Sequence, residues 1–294
     1  MTPGCMIGAL LAASATAFAA SPPGHYSIQL NSLFTSEAQT LGVYCKARID
    51  GGPVLRLLLD SGAERIVLDR RVAARTGRKN GSDFQLVGVG AATQCKRSAP
   101  ATLQIGDLVL PGCDTLVVDG EVLEGVDGII PLALFGDFLV RLDLPHKTLE
   151  LDAYPPDIPA QGGGYTAVRV DNRLLFVRSL VNERQPGYIL LDTGATYSAV
   201  SPEAASASRN YWSLANAISL HGGAGAVEGF PLPSGVRFRC GDRVISADPA
   251  VVVDLSSFKG HHPFEIAGIL GYSALRNSIV TVDYRDSLVR IEGK

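Results

Sequence analysis

One six-residue phrase occurs twice in this chain of 294 residues, and it constrains the fold more than any other feature. Leu58-Leu59-Asp60-Ser61-Gly62-Ala63 returns as Leu190-Leu191-Asp192-Thr193-Gly194-Ala195, 132 residues later. The correspondence continues along the chain. Asp69, ahead of a short helical stretch, matches Ser201 at the same spacing. The turn Gly88-Val89-Gly90 matches the one at Gly222-Gly223 at about 134 residues, Gly106-Asp107 matches Gly241-Asp242 at 135, and Gly128-Ile129-Ile130 matches Gly268-Ile269-Leu270 at 140. An offset that drifts in one direction only is a collinear duplication with a few loop insertions. Residues 154–164 are dense in Pro and Gly and read as the joint, dividing a first copy at 21–157 from a second at 158–294.

Within each copy the pattern is mostly β. Residues 54–59 form a short apolar run before the first Asp-Ser-Gly, residues 85–89 rise into the Gly turn, and residues 102–105 and 108–110 flank a Gly-Asp hairpin turn. A further strand is expected at 115–118, and residues 138–151 alternate around Pro145-His146-Lys147 as a second hairpin. Helix signals are few: Asp69 can cap residues 70–76 with Gly77 as the stop, and Ser201 can cap residues 202–208 with Pro202 in the first helical position. With 32 Gly and 17 Pro to make turns, the expectation is a mostly β, two-lobed molecule with few short helices.

Residues 1–20 are set apart. The run 5–20 is apolar but shorter than the ~20 residues that span a bilayer, and it ends in Ala17-Phe18-Ala19, a small-x-small cleavage signal. This reads as a signal peptide, so the mature chain is expected to be exported, periplasmic or secreted, with no membrane span. Cys45, Cys95, Cys113 and Cys240 then remain, and a Cys95–Cys113 disulfide is expected from their proximity in the chain. A formal net charge of −3 offers no basic excess to grip phosphate backbones, which argues against nucleic acid as a partner.

One Asp-Ser/Thr-Gly tripeptide is an ordinary turn, with Asp bonding its own backbone and Gly supplying conformational freedom. Two, each after an apolar strand and at matching places in a duplicated fold, imply more. A pseudo-twofold axis brings equivalent loops together, so Asp60 and Asp192 should face each other. Carboxylates about 3 Å apart cannot both ionise, so they share a proton and titrate as a pair. The charged member can take a proton from water while the protonated member donates to a carbonyl. Ser61 and Thr193 supply hydroxyls to hold the loops across the axis, and Gly62 and Gly194 allow backbone N–H groups to approach the carboxylates.

These residues carry a resemblance. The sequence resembles the aspartic peptidases of the pepsin/retropepsin superfamily, as two retropepsin-type units fused in one chain. The motifs are 58–63, 87–91 and 128–134 in the first copy, and 190–195, 222–227 and 266–275 in the second. Pro131 stands where the second copy has Gly271, and Glu64 where it has Thr196. The resemblance implies an aspartic endopeptidase acting on protein or peptide substrates, a monomer that is a pseudo-dimer of its lobes, and no cofactor or metal. It also implies that Gly88, Val89, Gly90, Gly222 and Gly223 are substrate flaps. The alternative is a catalytically silent module of the same fold that grips extended peptides.

Other constellations carry less. No H-E-x-x-H, G-x-S-x-G or P-loop pattern occurs. His261-His262 reads as an exposed loop pair, and His221, beside the second Gly turn, as the histidine nearest the cleft. Arg70, Arg71, Arg75, Arg78 and Lys79 read as a solvated helix face, and Tyr211-Trp212 as core packing. N-terminal sequencing of the exported protein is expected to begin near Ala20 or Ser21. Recovery of a chain that keeps Met1 would overturn the export reading.

Overall fold

The computed structural model describes residues 24–34, 40–78, 81–89, 91–120, 124–154, 163–207, 212–213, 217–222, 225–258 and 260–293. The signal segment 1–20 and the 157/158 boundary lie outside the described residues. The architecture is mostly β, with strands accounting for nearly all regular structure and only short helices among them.

The duplication is legible in the strand pairings. In the first copy Leu55–Asp60 runs parallel to Gly128–Pro131, and Ile66–Asp69 packs antiparallel to that strand and parallel to Leu108–Val118. In the second, Gln185–Asp192 runs parallel to Ile266–Gly271, and Ser198–Val200 sits between that strand and Ala250–Val253 in the same senses. The crossing strands Gly128–Pro131 and Ile266–Gly271 are buried along their whole length, so they are apolar throughout rather than alternating. A Cβ on Gly128 would lie 2.4 Å from the Val67 carbonyl oxygen, and one on Gly268 2.6 Å from that of Ala199. Only glycine allows these backbones to approach so closely.

The two copies share one sheet. From its edge it runs His25–Gln29, Thr148–Ala153, Phe138–Asp143, Ser278–Asp283, Leu288–Gly293 and Thr166–Asp171, three strands from each copy. Where the copies meet, Arg141 pairs with Thr281, its own equivalent 140 residues on, flanked by Val140 with Val282 and Leu142 with Val280. A residue can face its duplicate in an antiparallel ladder only where a twofold axis passes between them. The largest apolar cluster continues through both copies and includes Leu57, Phe135, Leu142, Leu191, Phe238 and Val282. Two smaller clusters, one per copy, hold Leu58, Val67, Leu116 and Ile129 in the first and Leu190, Ala199, Val253 and Ile269 in the second.

Three expectations change. The runs at 102–105 and 115–118 belong to long strands, Ala91–Ile105 and Leu108–Val118, whose register shifts between Ser98 and Ala101. Pro100 lies in that step, where its missing N–H is tolerated. The Cys95–Cys113 disulfide is absent: all four described cysteines are free and buried. Cys95 pairs with Val118 and Cys113 with Ala101, and five residues of strand between Val118 and Cys113 amount to about 16 Å. Burial pushes the Cys45 thiol up to about 12 and the Cys240 thiol to about 11, which keeps both as unreactive core residues. Finally, the basic cluster is a solvated face at Arg70, Arg71 and Arg75, whose exposed side chains pair with acids, but not at Arg78. Arg70 meets Asp119, Arg75 meets Asp127, and Arg78, whose side chain is 4% exposed, meets Asp50 and the Ala99 carbonyl. Lys79 lies outside the described residues.

The helices follow their signals. Asp69 Oδ1 accepts from Val72 N–H at 2.7 Å at the start of Arg70–Arg75, and Ser201 Oγ accepts from Ala204 N–H at 3.1 Å before Pro202–Ala207. Asp69→Ala leaves a buried N–H without its acceptor and is expected to lower stability by about 1 kcal/mol. Urea denaturation with an unchanged m-value checks it.

Candidate active site

Asp60 closes one parallel strand pair and Asp192 its duplicate, so both carboxylates emerge where the two copies meet. The residues after them fix this meeting. Ser61 Oγ donates to the Leu191 carbonyl at 2.8 Å and accepts from Thr193 N–H at 3.0 Å. Thr193 Oγ1 donates to the Leu59 carbonyl at 2.9 Å and accepts from Ser61 N–H at 3.1 Å. Each hydroxyl thus spans to the opposite copy and uses both its donor and an acceptor lone pair. Ser61 and Thr193 are 3% and 2% exposed, so water does not compete for these bonds.

The glycines come next. A Cβ on Gly62 would sit 2.5 Å from Asp192 Cγ, and one on Gly194 2.4 Å from Asp60 Cγ. Each carboxylate therefore lies against the opposite copy's glycine, a closeness no other residue permits. Gly62 N–H donates to Asp60 Oδ1 at 2.6 Å, while Gly194 and Ala195 N–H both donate to Asp192 Oδ1 at 2.9 Å.

Burial first, and then the charge of Asp192, raise Asp60 well above the usual carboxylate range. Asp192 is raised as well, chiefly by burial, and its hydrogen-bond donors oppose that rise. Asp60 is partly exposed and Asp192 9% exposed; both sit at the floor of an open cleft, dry toward the protein and wet toward the opening. The pair holds one proton over a wider pH range than an ordinary carboxylate. The two donors on Asp192 against one on Asp60 favour charge on Asp192 and the proton on Asp60.

The copies differ where Pro131 replaces Gly271. Gly271 N–H donates to Ser198 Oγ at 3.0 Å. In the first copy the Ser198 position is Ile66, which has no acceptor, and Pro131 has no donor. Both ends of the bond are missing together, so nothing is left unsatisfied. Pro131, at φ −68, also suits the entry to the 3-10 turn Leu132–Phe135.

Above the dyad is a cleft of about 790 Å³. Its walls have an apolar part, with Leu58, Val67 and Ile129 on one side and Leu190, Val253 and Ile269 on the other, and polar residues including Glu64, Arg65, Asn172 and Ser219. Gly88 and Val89, after the strand Asp83–Gly88, reach over it, and Val89 packs on the apolar cluster of the second copy. The Gly88 carbonyl accepts from Ser257 Oγ across the cleft at 2.9 Å. From the second copy, Gly222 pairs with Gly225 in a hairpin whose Gly225 lines the cleft. Gly90 and Gly223 lie outside the described residues.

The histidine expectation is corrected. His262 is buried, with 3% side-chain exposure, and both it and His261 line the cleft. Its acidic partner is Asp171, 91 residues away, so no local pattern revealed it. Trp212 packs against Phe230 at 5.6 Å between ring centroids, as expected of a core residue; Tyr211 lies outside the described residues.

Comparison with known proteins agrees with this geometry. Residues 45–132, which include Asp60-Ser61-Gly62, match the family model described as Aspartyl protease. Among solved structures the chain is similar to the aspartic proteinase from Irpex lacteus, with a TM-score of 0.57 and 13% identity, covering 92% of this chain and 97% of that one. No curated protein matches the chain. The fold is that of the pepsin/retropepsin-like aspartic peptidases, two-lobed and mostly β, and fold and family match together support a peptidase-type function.

Thr193→Val keeps the shape but strands the Ser61 N–H and the Leu59 carbonyl. It is expected to destabilise by about 2 kcal/mol, whereas Thr193→Ser keeps both bonds and most of the stability. Urea unfolding of the two variants checks this.

Proposed function

We propose that this chain is an exported aspartic endopeptidase, periplasmic or secreted, that hydrolyses peptide bonds with water activated between Asp60 and Asp192. The observation that carries the reading is the dyad: two carboxylates at the floor of the cleft, each against the other copy's glycine, with unequal hydrogen bonding.

The chemistry follows from that inequality. A water between the carboxylates loses a proton to ionised Asp192 as its oxygen attacks the scissile carbonyl carbon. Protonated Asp60 donates to the carbonyl oxygen, so no full negative charge forms on it. The resulting gem-diol collapses: one hydroxyl proton returns to Asp60, the C–N bond breaks, and the amine leaves with the proton held by Asp192. Both carboxyl groups end as they began. The apolar part of the walls favours extended substrates with apolar side chains beside the scissile bond. The flap backbones at Gly88 and Gly225 are placed to pair with the peptide main chain.

Asp60→Asn and Asp192→Asn should each lower peptide hydrolysis at least ~10³-fold, about 4 kcal/mol of barrier, and the double variant should lose little more, since the pair acts as a unit. Activity should be bell-shaped in pH. A silent peptide-binding module would show no cleavage to lose, and near-normal turnover in either single variant would overturn the two-carboxylate mechanism.

The raised dyad also sets a stability slope. The native state keeps a proton that the unfolded chain releases above the ordinary carboxylate value of 3.8. This contribution is fully present below that value and is lost as pH rises through the folded-state titration. Asp60→Asn is expected to flatten that slope in thermal unfolding measured from pH 4 upward.

A further inference from the structure

The cleft wall supplied by the second copy carries an apolar stretch of Leu174, Leu190, Val251 and Val253, and His262 lines the cleft beside Phe258. The imidazole lies among Phe176, Phe258 and Phe264, with ring centroids 4.8, 6.0 and 5.6 Å away. Its Nδ1 is 2.7 Å from Oδ2 of Asp171. A carboxylate only accepts, so Nδ1 carries the hydrogen and donates it. That bond fixes the ring, and Nε2 has no hydrogen-bond partner among the described residues. His262 and Phe258 are shared between the cleft and an adjoining cavity of about 410 Å³, so the ring stands where the two spaces meet.

We propose that His262, oriented by Asp171, is a specificity-determining residue that selects a substrate side chain with an aromatic body and a hydroxyl tip. The inference rests on the reading of the cleft as a peptide-binding site. Phe258, which lines both spaces, and Phe264, which lines the adjoining cavity, supply aromatic surface for a ring to pack on, while Phe176 backs the imidazole from the core. The choice of tip follows from Nε2. In neutral imidazole it accepts and in imidazolium it donates; a hydroxyl does both and satisfies it in either state. A carboxylate tip binds the charged ring alone, and Glu203, Asp254 and Glu265 around the adjoining cavity repel it. The same carboxylates attract an ammonium tip, but it binds the neutral ring alone and its aliphatic stem has no ring to stack on the phenylalanines. A tip without polar atoms buries Nε2 unpaired, which is the arrangement that discriminates most strongly against an isostere lacking a hydroxyl. Asp171 acts through His262 and is a positioning residue.

The test uses peptides matched except for tyrosine, phenylalanine, lysine or glutamate, scanned through the positions on each side of the scissile bond. Wild type is expected to prefer tyrosine over phenylalanine at one position by about tenfold or more in kcat/KM. That ratio should fall to about one in His262→Phe and should fall in Asp171→Asn, which keeps the side-chain size and serves if His262→Phe does not fold. A ratio near one at every position in wild type, a ratio unchanged in both variants, or a preference for lysine or glutamate at the position His262 controls would overturn the proposal. Calorimetric binding of the same peptides to Asp60→Asn protein separates the two readings. Tyrosine-selective binding without cleavage by wild type would defeat the peptidase reading and keep this one. Cleavage without selectivity would do the reverse, and neither binding nor cleavage would defeat both.

Discussion

The four hydrogen bonds exchanged by Ser61 and Thr193 are the interaction on which the site depends. They join two copies of a fold at the one place where each copy is most exposed to error, the loop after its central strand. Because each hydroxyl takes its donor and its acceptor from the opposite copy, neither loop is complete alone. The carboxylates then need no further device to meet: the strands deliver them, the hydroxyls hold the spacing, and the glycines remove the only atoms that would prevent contact. The raised protonation of Asp60 depends on this assembly, since the neighbouring charge that adds to its burial comes from the other copy.

Much of this was legible in the residues, for a physical reason. A duplicated motif appears in the sequence twice, so each reading had a second, independent instance. The strands around Asp60 and Asp192, the two helix caps and the hairpin after Phe138 all depend on neighbours close in sequence, and they lie where local chemistry places them. The pairing of Arg141 with Thr281, 140 residues apart, matches the offset to which the duplication drifts, although no residue there announces that the copies pair.

What was illegible depended on long-range geometry. Cys95 and Cys113 are close in the chain, yet the antiparallel ladder carries them apart into different clusters. His262 sits in a polar stretch that reads as surface; its burial comes from Phe176, Phe258 and Phe264, and its charge partner arrives from the opposite end of the second copy. Arg78 likewise looked like one more solvated cation, yet its side chain is buried and meets Asp50 and the Ala99 carbonyl. Side chains whose environment is made by three or four distant segments leave no periodic trace in any one of them.

The exchange of Ser198 and Gly271 for Ile66 and Pro131 has a consequence for how such a molecule changes. In a dimer of identical chains every substitution lands on both sides of the axis at once, so a donor and its acceptor must be lost twice and simultaneously. A fused chain is released from that rule. Here one half has a rigid, apolar corner where the other has a buried bond, and the dyad holds two donors on one side and one on the other. Covalent linkage of the halves lets a twofold arrangement carry a polarity, so the cleft has a fixed direction along which a bound chain can be read.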